Sequence, residues 1–277
     1  MLDRFTSIAD GLDHPEGVAA GPDGAVYAGG EAGQVYRIDD GIAVEIATTG
    51  GFLYGVTLDG DGNVYACDMG RGEVVRVSPR GDVSTYSSGT EDRPLRVPNF
   101  ASFSGDGHLY VTDSGEWRRD DGTIFRISPE GETSVWCDEV RAFPNGCCLT
   151  ADDDSLIVVE TTRSRVVRVP IRDDGGAGPP ELVVELPGSL PDGVALGDDG
   201  TLFVGCWRPD RVWRIPTGGS PEVLADDPDG VTFNQPANVA FVGPEFDRLA
   251  VSSLGGWSIV AADVGGVGLR LRYPTFR

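Results

Sequence analysis

The chain has 277 residues, 40% of them hydrophobic, and its apolar runs fall far short of the roughly 18 residues of a membrane-spanning helix, so no membrane partner is expected. Asp and Glu total 44 against 22 basic residues, a formal net charge of −22, and a field of that sign repels phosphate backbones, so nucleic acid is excluded as a partner. Every basic residue is Arg, which removes Schiff-base and lysine-nucleophile chemistry.

The acid excess reads as a solvated surface, of the kind that keeps a protein soluble where salt screens charge. Residues 1–10 carry no apolar h-region, so no secretory signal is expected. The five cysteines (Cys67, Cys137, Cys147, Cys148, Cys206) show neither Cys-x-x-Cys nor zinc spacing. They fit reduced thiols, and the expected location is the cytoplasm.

In chain order, residues 4–9 read as a lone strand, and then a repeat begins. Its openings are Pro15-Glu16-Gly17, Leu53-Tyr54-Gly55, Pro98-Asn99-Phe100, Pro144-Asn145-Gly146, Pro191-Asp192-Gly193 and Pro236-Ala237-Asn238. Their third residues stand at 17, 55, 100, 146, 193 and 238, spaced by 38, 45, 46, 47 and 45 residues. Each opening starts a short strand, followed in most copies by an Asp-Gly turn such as Asp23-Gly24 or Asp106-Gly107 and a second strand. A third strand carries a recurrent Arg, as in Val35-Tyr36-Arg37-Ile38 and Val166-Val167-Arg168-Val169, and a fourth follows. No stretch has helical periodicity. Four strands in each of six repeats predict an all-β fold, a six-bladed β-propeller of four-stranded blades forming a single domain over residues 1–277. The last repeat shows only three strands, so residues 4–9 are expected to complete it and close the ring.

Topology places the chemistry. The first strands line the central channel and start on one face, while the Asp-Gly turns lie on the other. The second residue of each opening (Glu16, Tyr54, Asn99, Asn145, Asp192, Ala237) therefore sits around one axis. Glu16, Asn99, Asn145 and Asp192 supply oxygen only, with a formal charge of −2. Such a set suits Ca²⁺ first, then Mg²⁺ or Mn²⁺; Zn²⁺, although possible, more often takes His or Cys.

At these residues the chain resembles the regucalcin/gluconolactonase family of six-bladed propellers, the senescence-marker-protein type. The likeness rests on His14-Pro15-Glu16-Gly17, Pro98-Asn99, Phe143-Pro144-Asn145-Gly146, Pro191-Asp192-Gly193, residues 236–241 and residues 268–271. It implies a divalent cation held by Glu16, Asn145 and Asp192, with Asn99 on metal or substrate, and it implies lactone hydrolysis. Two departures bear on the substrate: Phe100 stands where the family usually has Asp, and Cys147-Cys148 where it has small or aliphatic residues.

Ring opening needs an activated water and a stabilised oxyanion, and Asp192 beside a cation can take a proton from that water or orient it. Rim loops are expected to select a small-molecule substrate of the sugar or aldono-lactone class. Candidates with Asn99 are Arg96, Trp117, Arg118 and Trp207, Arg bonding oxygen and indole packing on C–H faces, with Arg93, Glu116 and Arg208 nearby. The alternatives are a phosphotriesterase-like or fluorophosphatase-like hydrolase on the same cation, and a non-catalytic or strictosidine-synthase-like condensing propeller. Other motifs read as structure. Residues 59–63 start like an EF-hand loop but lack its Gly and Glu, and so read as a hairpin turn. His108 falls on the wrong face for a triad, His14 reads as a loop residue near the ring, and Cys147 as a small buried hydrophobe.

Overall fold

A computed structural model describes residues 1–276. β1 (Thr6–Asp10) stands apart from the first blade, which is β2 (Val18–Ala20), β3 (Val26–Gly29), β4 (Gln34–Asp39) and β5 (Ile42–Thr48). The second blade is β6 (Leu53–Leu58), β7 (Val64–Asp68), β8 (Glu73–Val77) and β9 (Val83–Ser87). The third is β10 (Pro98–Phe103), β11 (Leu109–Asp113), β12 (Thr123–Ile127) and β13 (Thr133–Cys137). The fourth is β14 (Pro144–Leu149), β15 (Ser155–Glu160), β16 (Arg165–Pro170) and β17 (Glu181–Glu185). The fifth is β18 (Leu190–Leu196), β19 (Leu202–Arg208), β20 (Asp210–Ile215) and β21 (Glu222–Asp226). The sixth is β22 (Pro236–Val242), β23 (Arg248–Ser253) and β24 (Ser258–Asp263), with β1 as its outer strand. All pairs are antiparallel, giving the six-bladed propeller the repeat predicts.

The ring closes through Thr6↔Ala261 and Asp10↔Ser258, two residues later than the expected start at residue 4. Leu2–Arg4 instead wind into a 3₁₀ turn in which the Arg4 N–H donates to the Met1 carbonyl, so Arg4 has no ladder to join.

Burial follows position in the blade. Second strands such as β15 and β7 lie between neighbouring blades and are buried along their whole length, hence their continuous apolar runs. Outer strands such as β5 are largely exposed. In the first and fourth blades the repeated Arg of the third strand reaches back to the hairpin turn: Arg37 pairs with Asp23 at 3.0 Å and Arg168 with Asp154 at 3.1 Å.

The acid excess is not all surface. Asp59, Asp68, Asp113, Glu160 and Asp227 are each at most 2% exposed. Asp68, Asp113 and Glu160 end second strands and accept N–H groups from the loop that leads into their own blade: Phe52 at 2.9 Å, Arg96 at 2.6 Å and Ala142 at 3.0 Å. Asp227 accepts Thr232 and Phe233 at 2.6 and 2.7 Å. A carboxylate with several acceptor sites can satisfy a whole loop where one turn cannot, and these loops form the channel mouth.

Candidate metal centre

Five of the six first strands carry one extra residue at the ring position. Opposite β11, Pro98 and Phe100 face adjacent partners, Asp113 and Thr112, and Asn99 is the surplus. The same two-for-one irregularity falls between Leu53 and Val56, Pro144 and Cys147, Pro191 and Val194, and Pro236 and Val239. Such a bulge releases a residue from the pleat and re-aims its side chain.

Neighbouring blades approach closely here. A side chain on Gly55 would collide with Phe100 and the Asn99 carbonyl, and one on Gly146 would meet the Gly193 Cα at 2.6 Å and the Asp192 carbonyl oxygen at 2.7 Å. Hydroxyls on second strands, or just beyond them, latch one blade to the opening of the next. Thr112 donates to the Asn145 carbonyl at 2.8 Å, Thr161 to the Pro191 carbonyl at 2.7 Å, and Ser252 to the Glu16 carbonyl at 2.6 Å.

Glu16, Asn99, Asn145 and Asp192 are all buried, at 8%, 2%, 3% and 7% exposure. The Oδ1 atoms of Asn99, Asn145 and Asp192 have no hydrogen-bond partner, although the Asn145 amide donates to Thr161 Oγ1 at 3.2 Å. Each such orphan costs about 1–3 kcal/mol. Burial, reinforced by the charge of Asp192, raises the Glu16 carboxyl well above its usual range. Burial likewise pushes Asp192 up to about 7, with the adjacent Asn145 amide pulling the other way. Neither carboxylate has an ion-pair partner among the described residues. The donor set is all oxygen, the two acids lack a counter-charge, and three oxygens face nothing. A hard divalent cation fits all three conditions.

Tyr54, which sequence reasoning placed in the ring without a role, faces this pair. Burial, then the charges of Glu16, Asp192 and Glu31, hold its phenol far above the usual range, so it keeps its proton. His14 is the expected loop residue, its Nδ1 3.1 Å from Asp13 and 3.0 Å from Glu31. His108 lies with Asp106 at the far-side turn.

At the rim, Trp117 packs on Phe143 (4.8 Å between centroids) and on Trp207 (6.4 Å), an aromatic wall between the third, fourth and fifth blades. Arg118 lies over Trp117 and Arg208 over Trp207. Arg96 is otherwise engaged. Its guanidinium grips the Asp121 carboxylate and carbonyl at 2.9 Å each, and Arg93 reaches the same carbonyl at 3.3 Å. Both brace one loop against another, a contact that needs the tertiary fold to be seen. Phe143 drew attention only as part of a motif; its place beside Trp117 shows in no sequence spacing.

The model of the SMP-30/gluconolactonase/LRE-like region matches residues 81–255, more than half of the chain. The chain belongs to this family. A strictosidine synthase-like N-terminal model also matches residues 2–38. Pentonolactonase XacC of Haloferax volcanii is 29% identical, over 82% of this chain and 76% of its own length. Strictosidine synthase-like protein 13 of Arabidopsis thaliana is 30% identical over 52% of this chain, which spans only 38% of that relative. Among solved structures, a gluconolactonase from Xanthomonas campestris superposes with a TM-score of 0.80 at 20% identity, covering 93% of this chain and 88% of the other. A calcium-binding regucalcin from Agrobacterium tumefaciens gives 0.76 at 17% identity, over 99% and 98%. At these identities the structural likenesses speak for the propeller fold of this family. No helix among the described residues is long and apolar enough to cross a membrane.

Proposed function

We propose that this chain is a divalent-cation-dependent lactonase acting on a small sugar or aldono-lactone. The observation that carries the reading is the buried Glu16–Asp192 pair, without counter-charge, facing unpaired carboxamide oxygens. The family and the lactonases within it supply the reaction class.

Glu16, Asn99, Asn145 and Asp192 would hold the cation, Ca²⁺ by preference, since no ring residue offers nitrogen or sulfur. When bound, it supplies Lewis acidity toward an ester carbonyl and offsets the charge of an oxyanion. Asp192 orients the attacking water and accepts its proton; Asn145, bonded to Thr161, keeps that carboxylate in place. Tyr54 keeps its proton and can donate to an oxygen of the substrate. Trp117, Phe143 and Trp207 offer C–H-packing faces to a sugar ring, Asn99 and Arg118 polar contacts. Arg96, spent on Asp121, shapes the rim.

Acid release in a pH-stat from a panel of aldono-lactones and one fluorophosphate tests this, with chelator and then with Ca²⁺, at low and high salt. Lactone turnover that vanishes with chelator and in Asp192→Asn is expected. Cation binding without lactone turnover would overturn the substrate class and favour the fluorophosphatase or condensing alternatives. Folded protein that binds no divalent cation would overturn the centre itself.

A further inference from the structure

The sixth blade offers no oxygen at the ring position, where Ala237 stands, although it lies between the blades that carry Asp192 and Glu16. One residue on, Asn238 is fully buried, and neither its Oδ1 nor its Nδ2 has a partner. The other unpartnered buried side-chain atoms among the described residues are the three ring oxygens and Asp68 Oδ2, which lies 4.0 Å from Arg71. Asn238 thus carries the mark of the ring without being in it.

Its placement sets it beside both acid-bearing openings. The Asn238 N–H donates to Ser252 Oγ at 2.9 Å, and the same hydroxyl donates to the Glu16 carbonyl at 2.6 Å. On the other side its carboxamide fills the space over Gly193 that a side chain there would need, next to Asp192. The surplus residue between Pro236 and Val239 frees Ala237 and Asn238 from the pleat, as the same irregularity does in the second, fourth and fifth blades, but at the place of Asn238 those blades have only Gly55, Gly146 and Gly193. A leucine has the same branched shape and would fill the site with no polar atom stranded, so the amide makes sense only opposite a polar occupant.

We propose that Asn238 is a fifth side chain of the cation centre, contributing its carboxamide oxygen directly or through one water. The inference rests on the reading of the ring as a divalent-cation site. A carboxamide adds a donor without charge, so the ring keeps the charge of −2 that matches a doubly charged ion.

The test is calorimetric titration of Ca²⁺ into chelator-stripped wild type, Asn238→Leu, Asn238→Asp and Asp192→Asn, with urea unfolding of each in chelator. Asn238→Leu is expected to weaken Ca²⁺ binding about 10–100-fold, as loss of an outer ligand partner does. In chelator it is expected to unfold at the same or higher urea than wild type, because two stranded polar atoms are gone. Asn238→Asp, which keeps the oxygen, is expected to bind at least as tightly as wild type at pH 8. Wild-type affinity in Asn238→Leu, with binding abolished in Asp192→Asn, overturns the role of Asn238 and leaves the ring standing. No binding by wild type overturns both. If the Leu variant does not fold, weakened binding by Asn238→Asp overturns the proposal.

Discussion

The two ends of the central channel are built from the same six strands and differ in two respects: how a buried carboxylate is served, and whether the chain covers the opening. At the far end Asp59, fully buried, accepts from the Asp61 and Asn63 N–H groups, from Asn63 Nδ2 at 2.7 Å and from the Tyr65 hydroxyl at 3.0 Å. At the mouth, Asp192 keeps an oxygen with no partner. The far end is also sealed. The C-terminal segment crosses it, the Leu269 N–H donating to Leu196, Arg272 pairing with Asp153 at 3.2 Å and the Tyr273 hydroxyl reaching the Ala20 carbonyl at 2.9 Å. Phe276 then packs on Phe103 and Tyr65. A cavity of about 70 Å³, lined by Phe100, Cys147, Cys148 and Val239 among others, remains behind this seal. Burial raises both thiols there, Cys148 to about 12, so they behave as hydrophobes. At the far end Asp59 is fully served; at the mouth the loop-clamping acids are served as well and, Asp68 Oδ2 aside, the stranded oxygens are confined to the ring and Asn238, the proposed cation centre.

Breaking the mouth should cost activity most. Glu16→Gln is expected to lower cation-dependent lactone turnover about 10³-fold in the pH-stat, while circular dichroism stays that of wild type.

The second expectation concerns stability without cation. Asp192 titrates at 3.8 when free and at about 7 when folded, so the folded chain holds an extra proton between those values. Stability then falls as pH rises through that window. Urea midpoints in chelator should therefore favour Asp192→Asn over wild type increasingly from pH 4 to pH 8. The ceiling is about 4 kcal/mol, at about 1.4 kcal/mol per unit. Saturating Ca²⁺ should reverse the order, and an unchanged gap across this range would break the contrast between the two ends.

Changes at the sealed end should do the opposite. Phe276→Ala is expected to cost about 2 kcal/mol of unfolding free energy, below the loss for a fully buried Phe, and to leave Ca²⁺ affinity untouched. Tyr273→Phe, losing one hydrogen bond, should cost about 1 kcal/mol, again without effect on the cation. The smallest effect is expected at the rim: Trp117→Ala should raise KM about tenfold with kcat unchanged, the sign of lost ground-state packing.

The repeat spoke clearly because a blade is a local unit: strand periodicity, Asp-Gly turns and a regular spacing need no distant contact to be read. Glu16, Asn99, Asn145 and Asp192 were legible for the same reason, since symmetry maps equal positions in the repeat onto one ring. Tyr54 was visible in that ring but had no stated partner until burial set its phenol against two acids. Asn238 escaped because it stands one place past the ring position, where the other openings have Gly or Phe, and only its burial shows the amide to be without a partner. The clamping acids Asp68, Asp113 and Glu160 passed for surface charge, although each ends a second strand at the same place.

By itself, the amino-acid sequence determined the six blades, the closing strand and the face on which the oxygen-bearing residues gather, because each follows from short-range pattern repeated around an axis. Only the tertiary structure decided which polar atoms find partners. That depends on which neighbours burial leaves within reach: Asp121 for Arg96, Phe143 for Trp117, a fold-spanning tail for one end of the channel, and nothing for one oxygen of Asp192 or the side-chain amide of Asn238.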